Sequence, residues 1–236
     1  MPAAANMALD EALLLAGGPA TLRLYGWDPP ALSLGYFQRV AQVDRGLLER
    51  HGLALVRRPT GGGAIAHVHE LTFAFTAPEG LDPYVGSIAA SYERVHEALA
   101  AGLARLRVEA RRRGSESALL SDASGSRFYC FYHSAGPDLH VARRKVLGSA
   151  QRRCRGRVLH HGSLPLGRNP VTPFSACVEE AAGRPVSFDE VAGALLWGLR
   201  ERLGMVFVEG GLSEREVTLS HELTEKYASP EFTGMR

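Results

Sequence analysis

The sequence predicts an α+β fold, with a mixed, largely antiparallel sheet flanked by helices. Segments in which every second residue is apolar, as in strands, are interspersed with segments of helical periodicity, without a regular alternation of strand and helix. The chain has 236 residues, of which 45% are hydrophobic, and this is enough to bury one substantial core. We therefore expect a single domain over residues 1–236.

The first quarter of the chain predicts two helices and three strand-like segments. In order they are a helix over 6–16, a strand over 20–27, a short strand or turn over 33–38, a helix over 44–50 and a strand over 53–58. Asn6 and Asp44 are the expected N-caps, because their side chains can accept from free amides of the first turn. Gly17 and Gly52 are the expected helix ends.

The remaining elements follow from the same two periodicities. In order they are a strand over 64–76, a helix over 87–103, strands over 128–133, 139–142, 145–153 and 157–166, a helix over 187–203, a strand over 205–210 and a helix from 213. Ser187 and Ser213 each stand three residues before a glutamate, the pattern of a capping box. Residues 111–127 are rich in Ser, Gly and Arg and predict a mobile loop, and residues 167–175 predict an irregular connection.

Composition excludes several classes of function. The formal net charge is only +2, so the chain is not a general binder of nucleic acid. No apolar run approaches the roughly 20 residues of a membrane-spanning helix, and the N-terminus lacks the basic segment of a signal peptide. The cysteines Cys130, Cys154 and Cys177 are sparse and odd in number, which predicts a reducing, cytoplasmic location. The histidines lack metal-ligand spacing, so we expect no metal.

A run of three glycines, Gly61 to Gly63, follows Arg57 and Arg58. Glycines allow close approach of a ligand to the main chain, and arginines could hold a phosphate. The run joins two predicted strands, whereas a P-loop or a dinucleotide-binding turn leads from a strand into a helix. A bulged turn without a ligand is the alternative.

Cys130 and Lys145 are the candidates for nucleophilic chemistry. Only Lys145 and Lys226 among the 27 basic residues are lysines, so a lysine directly after Arg143 and Arg144 departs from the chain's usual choice. A cysteine nucleophile needs a nearby cation or base to become a thiolate. Lys145 could supply the cation and His133, His160 or His161 the base. Burial of Cys130 as a small apolar residue is the alternative.

Four blocks together resemble the family of lipoate/octanoate transferases and ligases, which is related to biotin protein ligase. They are NMALDEALL at 6–14, RRPTGGGAIAHVHELTFAF at 57–75, KVLGSAQRRCRGRVLHHGSLPL at 145–166 and LTEKYASPEF at 223–232. They stand in family order across nearly the whole chain. The resemblance implies the catalytic-domain fold of the biotin and lipoate protein ligases.

Within the family, the chain looks closest to octanoyltransferases of the LipM type. These resemble it in a Cys-Phe pair placed fifteen residues before the lysine of the Lys-x-x-Gly-Ser-Ala block, and here 145 − 130 = 15. The resemblance implies that Cys130 carries an octanoyl thioester and that Lys145 stabilises the thiolate and the developing oxyanion. It implies substrate binding at Arg57, Arg58, Gly61, Gly62, Gly63, Ala64, His67, Gly148, Ser149, Ala150, His161 and Gly162.

The implied donor is octanoyl-acyl carrier protein, and the implied acceptor is a lysine of a lipoyl domain or of a glycine-cleavage H-type protein. Thioester-to-amide transfer needs no cofactor. Arg143, Arg144, Arg152 and Arg153 could steer the acidic donor.

Some residues depart from this pattern and keep alternatives open. Gly63 makes the loop Gly-Gly-Gly, as in the ligases of the family. Val68 stands where an aspartate commonly follows the histidine of this block. The alternatives are an ATP- and Mg-dependent lipoate ligase, a lipoyl/octanoyl amidotransferase, and a non-enzymatic carrier-binding module. No segment resembles the small C-terminal domain of many two-domain ligases, which favours a transferase.

Overall fold

The computed structural model describes residues 1–112, 128–132 and 136–236. The helices are α1 Ala3–Ala16, α2 Arg45–His51, α3 Ile88–Ala104, α4 Val178–Ala182, α5 Phe188–Leu203, α6 Glu214–Ala228 and α7 Pro230–Gly234, with 3-10 turns at Val40–Gln42 and Cys130–Tyr132. The strands are β1 Thr21–Tyr25, β2 Ala31–Leu34, β3 Ala54–Arg57, β4 Ile65–His67, β5 Glu70–Pro78, β6 Arg111–Arg112, β7 Leu139–Val141, β8 Arg144–Cys154 and β9 Arg157–Pro165.

The strands form two sheets, and the predicted α+β class is confirmed. The larger sheet has the order β1-β5-β9-β8-β7-β6, and all of its pairs are antiparallel. The smaller sheet has the order β3-β2-β4, with β2 parallel to β3 and antiparallel to β4. Helices α3 and α5 cover one face of the larger sheet, where their apolar residues pack with Phe73 and Phe75. Helix α1 covers the other face, where Leu14 packs with Ala74 and Leu159.

Local signals place most helix ends correctly. Asp44 accepts from the Leu47 amide at 3.0 Å, and Ser213 forms the full capping box with Glu216. Helix α1, in contrast, begins after Pro2 rather than at Asn6. The side-chain amide of Asn6 donates to the carbonyls of Met1 and Gly26 instead of capping the helix. The helix therefore extends about one further turn towards the N-terminus.

Three predicted strands are wrong in detail. Residues 64–76 form two strands in different sheets, because His69 adopts a positive φ of 44° and breaks the run. The described part of 128–133 forms a 3-10 turn with one parallel bridge, Ala64 to Tyr129, and residue 133 lies outside the described residues. Residues 205–210 alternate in exposure but pair with no strand of the described chain.

Other expectations are met in part. The segment 33–38 contains the last two residues of β2 and the turn that follows it, and residues 167–175 form the expected irregular connection. Of the predicted loop 111–127, the structure describes only β6, and the rest lies outside the described residues. None of the helices in the described ranges is long and apolar enough to cross a membrane.

Candidate active site

Cys130 and Lys145 come together as the sequence predicts. Cys130 opens the 3-10 turn and is half-buried, and Lys145 lies on β8 and is almost fully buried. The Lys145 ammonium donates to the Cys130 sulfur at 3.4 Å and to the Cys130 carbonyl at 3.2 Å. This contact gives the thiol a charged hydrogen-bond donor, which favours the thiolate.

Asp138, which precedes β7, fixes the position of the Lys145 ammonium. The carboxylate lies 2.8 Å from the Lys145 nitrogen, and both side chains are buried. Burial lowers the pKa of Lys145, but Cys130 and Asp138 outweigh burial and raise it. A side chain on Gly148 would place its Cβ 2.4 Å from the Lys145 Cε, so the lysine would have to shift from this position. Lys145 is therefore held as a charged donor.

The glycine loop between β3 and β4 holds the nucleophile turn. The Ala64 amide donates to the Phe128 carbonyl at 2.7 Å, and the Cys130 amide donates to the Ala64 carbonyl at 2.8 Å. A Cβ on Gly63 would lie 2.7 Å from the Cys130 nitrogen and 3.0 Å from its Cα. The third glycine is thus required by the close approach of the cysteine turn, and it suits a cysteine-using enzyme as well as a ligase.

The two arginines before this loop have different places. Arg58 is buried and lines the cavity described below, where its guanidinium donates to the carbonyls of Gly61 and Gly63 at 2.7 Å each. Arg57 points elsewhere: it donates to carbonyls of residues 35, 36, 38, 232 and 233, and it does not line the cavity. Its donors tie the C-terminal helix to the turn after β2, and a role of Arg57 in substrate binding stays a prediction.

A narrow, largely apolar cavity lies between the two sheets and reaches Cys130. The empty space in the cavity and in front of its mouth is about 410 Å³, a volume that includes open solvent. The predicted residues that line it are Arg58, Gly62, His67, Cys130, Ser149, Ala150, His161 and Gly162. The lining residues that sequence reasoning missed are Met7, Tyr25, Trp27, Ser33, Ile65, Thr72 and Ser163. The missed residues lie on six elements and one loop, and no spacing in the sequence connects them.

Strand register gives the direction of the cavity. Tyr25, Thr72, Ser163 and Gly148 are direct partners across β1, β5, β9 and β8, so they share one face of the sheet. Three strand spacings of about 4.8 Å each make this row about 14 Å long. Tyr25, Thr72 and Ser163 of this row line the cavity, so the cavity runs across the strands of the larger sheet.

His67 is a buried polar group in the cavity wall. Its ring stacks on Trp27 with centroids 3.8 Å apart, and its two nitrogens contact the Ser33 hydroxyl at 2.8 Å and the Glu70 carboxylate at 2.7 Å. Burial raises the pKa of Glu70, but its contacts with His67, Ser163 and Thr72 outweigh burial and lower it. Glu70 therefore fixes the ring of His67 in the cavity wall, and a role of His67 in substrate binding stays a prediction.

His161 and Ser149 belong to two separate hydrogen-bond systems. His161 contacts Thr60 at 2.7 Å and the buried Asp10 carboxylate at 3.1 Å. On the other face of the sheet, the Ser149 hydroxyl contacts His96 at 2.7 Å and His160 at 2.8 Å. None of His96, His160 and His161 contacts the Cys130 sulfur among the described contacts. The observed polar partner of this sulfur is therefore Lys145.

In the described part of the chain, no group of three or more histidine, cysteine, aspartate or glutamate side chains could hold a metal. The arrangement combines a cysteine, a fixed ammonium and an apolar slot of acyl length. Such a site can form and release a thioester, the chemistry of acyl transfer.

Comparisons with known proteins agree with this class. The family described as lipoyl protein ligase A/B catalytic domain matches residues 2–198, so the chain belongs to the lipoyl protein ligase A/B family. Its relatives include octanoyltransferase LipM of Kyrpidia tusciae, 37% identical over 98% of this chain and 94% of that protein, and octanoyltransferase LipM of Symbiobacterium thermophilum, 37% identical over 95% and 91%. The predicted family and the predicted enzyme class, an acyltransferase, are confirmed.

Solved structures share the fold. A putative lipoate protein ligase from T. acidophilum with bound lipoic acid has a TM-score of 0.80 and 27% identity, and covers 99% of this chain and 94% of that chain. A lipoate-protein ligase A bound with ATP has a TM-score of 0.80 and 28% identity, over the same shares. The predicted resemblance to the lipoate ligase catalytic domain is therefore confirmed.

Proposed function

We propose that this protein transfers an octanoyl group from a carrier thioester to a lysine of a lipoyl domain, through a thioester on Cys130. The octanoyl transfer rests on the relatives, which are named octanoyltransferases and match nearly the whole chain. The use of a covalent intermediate rests on one observation, the 3.4 Å contact of the Lys145 ammonium with the Cys130 sulfur beside the cavity. Cys177, by contrast, is buried in the core and Cys154 packs beside Leu14, and neither lines the cavity.

The first step forms the acyl-enzyme. The octanoyl tail lies in the cavity and its carbonyl carbon lies beside the sulfur. The Cys130 thiolate attacks this carbon, the bond to the carrier sulfur breaks, and the carrier thiolate leaves and takes a proton from solvent. The Lys145 ammonium stabilises the negative charge that develops on the carbonyl oxygen.

The second step forms the amide. The neutral amine of the acceptor lysine attacks the thioester carbon, the bond to the Cys130 sulfur breaks, and the amine proton passes to solvent. An amide is more stable than a thioester, so the reaction needs no ATP, metal or other cofactor. The cysteine must stay reduced, which agrees with a cytoplasmic location.

Support for the acceptor comes from a relative of known structure. A solved structure that is 25% identical with a TM-score of 0.77 belongs to a structural analysis of a bi-partite lipoate protein ligase and its E2 lipoyl domain from Thermoplasma acidophilum. We extend that acceptor class to this protein, and an H-type protein is a second acceptor of the same chemistry.

The donor in this proposal is octanoyl-acyl carrier protein. Among the arginines predicted to steer it, ion pairs within the protein join Arg144 to Glu180 at 2.6 Å, Arg152 to Glu11 at 3.2 Å and Arg153 to Glu79 at 3.4 Å. These ion pairs reduce the charge available to a partner, so the donor surface is better sought among other basic residues.

Intact mass of the protein after incubation with octanoyl-acyl carrier protein tests the mechanism. We expect an octanoyl adduct without ATP, present in Cys154→Ala and absent in Cys130→Ala. An adduct that persists in Cys130→Ala would exclude this nucleophile. Acyl-dependent ATP–pyrophosphate exchange would instead establish a ligase, and an octanoylated lipoyl domain as an effective donor would establish an amidotransferase.

A further inference from the structure

The charge of Lys145 is already matched inside the protein. Its ammonium lies 2.8 Å from the Asp138 carboxylate, and 4–6% of these two side chains is exposed. As a pair the two residues carry no net charge, and little solvent reaches either of them. The pair offers the Cys130 sulfur a hydrogen bond, but little net positive charge.

Arg58 is the second cation beside Cys130. It is 3% exposed and lines the same cavity. One guanidinium nitrogen donates to the carbonyls of Gly61 and Gly63 at 2.7 Å, and another donates to the Ser33 carbonyl and hydroxyl at 3.1 and 3.2 Å. Because Gly63 packs directly against the Cys130 main chain, this anchoring holds the guanidinium next to the nucleophile turn.

Arg58 has no carboxylate partner among the described residues, and its buried Nε has no hydrogen-bond partner there. Burial lowers the pKa of Arg58 to about 10, and the charge of Cys130 opposes this effect. A buried cation without a counter-ion is costly unless an anion balances it. Asp10 and Glu70 already have charged or titratable partners: Asp10 is bound by Arg23, and Glu70 is bound by His67.

We propose that Arg58 balances the charge of the Cys130 thiolate, while Asp138 neutralises Lys145 and leaves it the role of hydrogen-bond donor. The inference rests on the proposed role of Cys130 as nucleophile. Arg58 favours loss of the thiol proton to solvent before the attack. It also favours release of the thiolate when the acceptor amine breaks the carbon–sulfur bond.

The test is the pH profile of Cys130 alkylation by iodoacetamide, read by peptide mass so that Cys154 and Cys177 are distinguished. We expect Arg58→Gln to move the midpoint of the profile upward by about 1–3 pH units, as for loss of a nearby opposite charge. Arg58→Lys should restore part of this shift. An unchanged midpoint in folded Arg58→Gln would overturn the proposal.

Two further variants keep the test decisive. The double variant Lys145→Met with Asp138→Leu removes a hydrogen-bond donor to the Cys130 sulfur but leaves the net charge as it was, so we expect a midpoint shift below about one unit. A shift of one unit or more would overturn the proposal, whether or not Arg58→Gln folds. Arg57→Gln controls for loss of a buried arginine: it should lower the unfolding temperature without moving the midpoint.

Alkylation needs no acyl donor, so the two proposals fail in different ways. Failure of the proposed function would show as an octanoyl adduct that persists in Cys130→Ala in the mass experiment. Failure of the Arg58 inference would show as a normal octanoyl adduct together with an alkylation profile that Arg58 does not affect.

Discussion

The site depends on contacts of single residues that sequence patterns reveal unequally. Cys130 and Lys145 were predictable, because their fifteen-residue spacing resembles a family pattern and the structure brings them to 3.4 Å. Asp138 was not, because a single aspartate before a short strand has no distinguishing neighbours. Arg57 and Arg58 are adjacent and identical in type, and only the fold shows that one lines the cavity and the other joins distant main-chain segments.

A lysine at position 145 is needed for its shape as well as its charge. We expect Lys145→Arg to keep the protein folded but to slow octanoyl transfer about 100-fold, the typical effect of losing one donor to a developing oxyanion. The space beside Gly148 holds the narrow ammonium of Lys145, and a planar guanidinium cannot reach the Cys130 sulfur and Asp138 in the same way. Single-turnover rates of lipoyl-domain octanoylation measure this, and a fully active Lys145→Arg would mean that any cation suffices.

At the scale of elements, local signals set the ends of helices, and tertiary pairing decides the strands. The caps of α2, α3, α5 and α6 follow from Ser or Asp side chains near free amides. The break between β4 and β5 was not predictable, because alternation continues through His69 and only the positive φ there separates the sheets. The turn at residues 128–132 reads as a strand in sequence, but its main chain has a single bridge to Ala64 in the described chain.

The glycine loop and the cysteine turn act as one element. We expect Gly63→Ala to reduce the rate of octanoyl-adduct formation by at least about tenfold, because its Cβ would displace the Cys130 main chain, and small misplacements cost about 100-fold in rate.

Gly61→Ala is the matched control in the same loop, since its Cβ meets only the Phe37 ring at 3.8 Å. Both variants stiffen the loop similarly, so the difference between their rates reports the clash. Equal rates would show that the close approach at Gly63 has no bearing on the reaction.

At the scale of the molecule, the N-terminal and C-terminal helices close the fold together. The buried Glu11 of α1 accepts from Lys226 at 2.5 Å and from the Tyr227 hydroxyl at 2.8 Å, both on α6. It also pairs with Arg152 of β8 at 3.2 Å. These contacts support our proposal of one domain over residues 1–236, because residues more than 200 positions apart share one buried carboxylate.

Buried neutral histidines make the stability of the whole molecule depend on pH. Burial lowers the pKa of His96 from 6.5 to about 4, so the unfolded chain takes up a proton at higher pH than the folded one. Stability from this residue is therefore present above pH 6.5 and is lost as pH falls towards 4, by roughly 3 kcal/mol over the window at about 1.4 kcal/mol per unit.

Urea unfolding at several pH values measures this loss. We expect His96→Gln to flatten the decline between pH 6.5 and 4, because the amide keeps hydrogen-bonding capacity without titrating. The exposed His51 provides a control, and His51→Gln should leave the slope unchanged. An identical slope in both variants would mean that other groups cause the decline.

The row of Tyr25, Thr72, Ser163 and Gly148 limits how the enzyme's tolerance for other fatty acids can change. Each of the four strands contributes one residue to the row, and the spacing between strands is set by backbone hydrogen bonds that no side-chain substitution alters. Point substitutions can therefore only widen or narrow the cavity at one residue of the row. A homologue adapted to much longer substrates would have to find space beyond β1, the edge of the sheet, rather than stretch the frame itself.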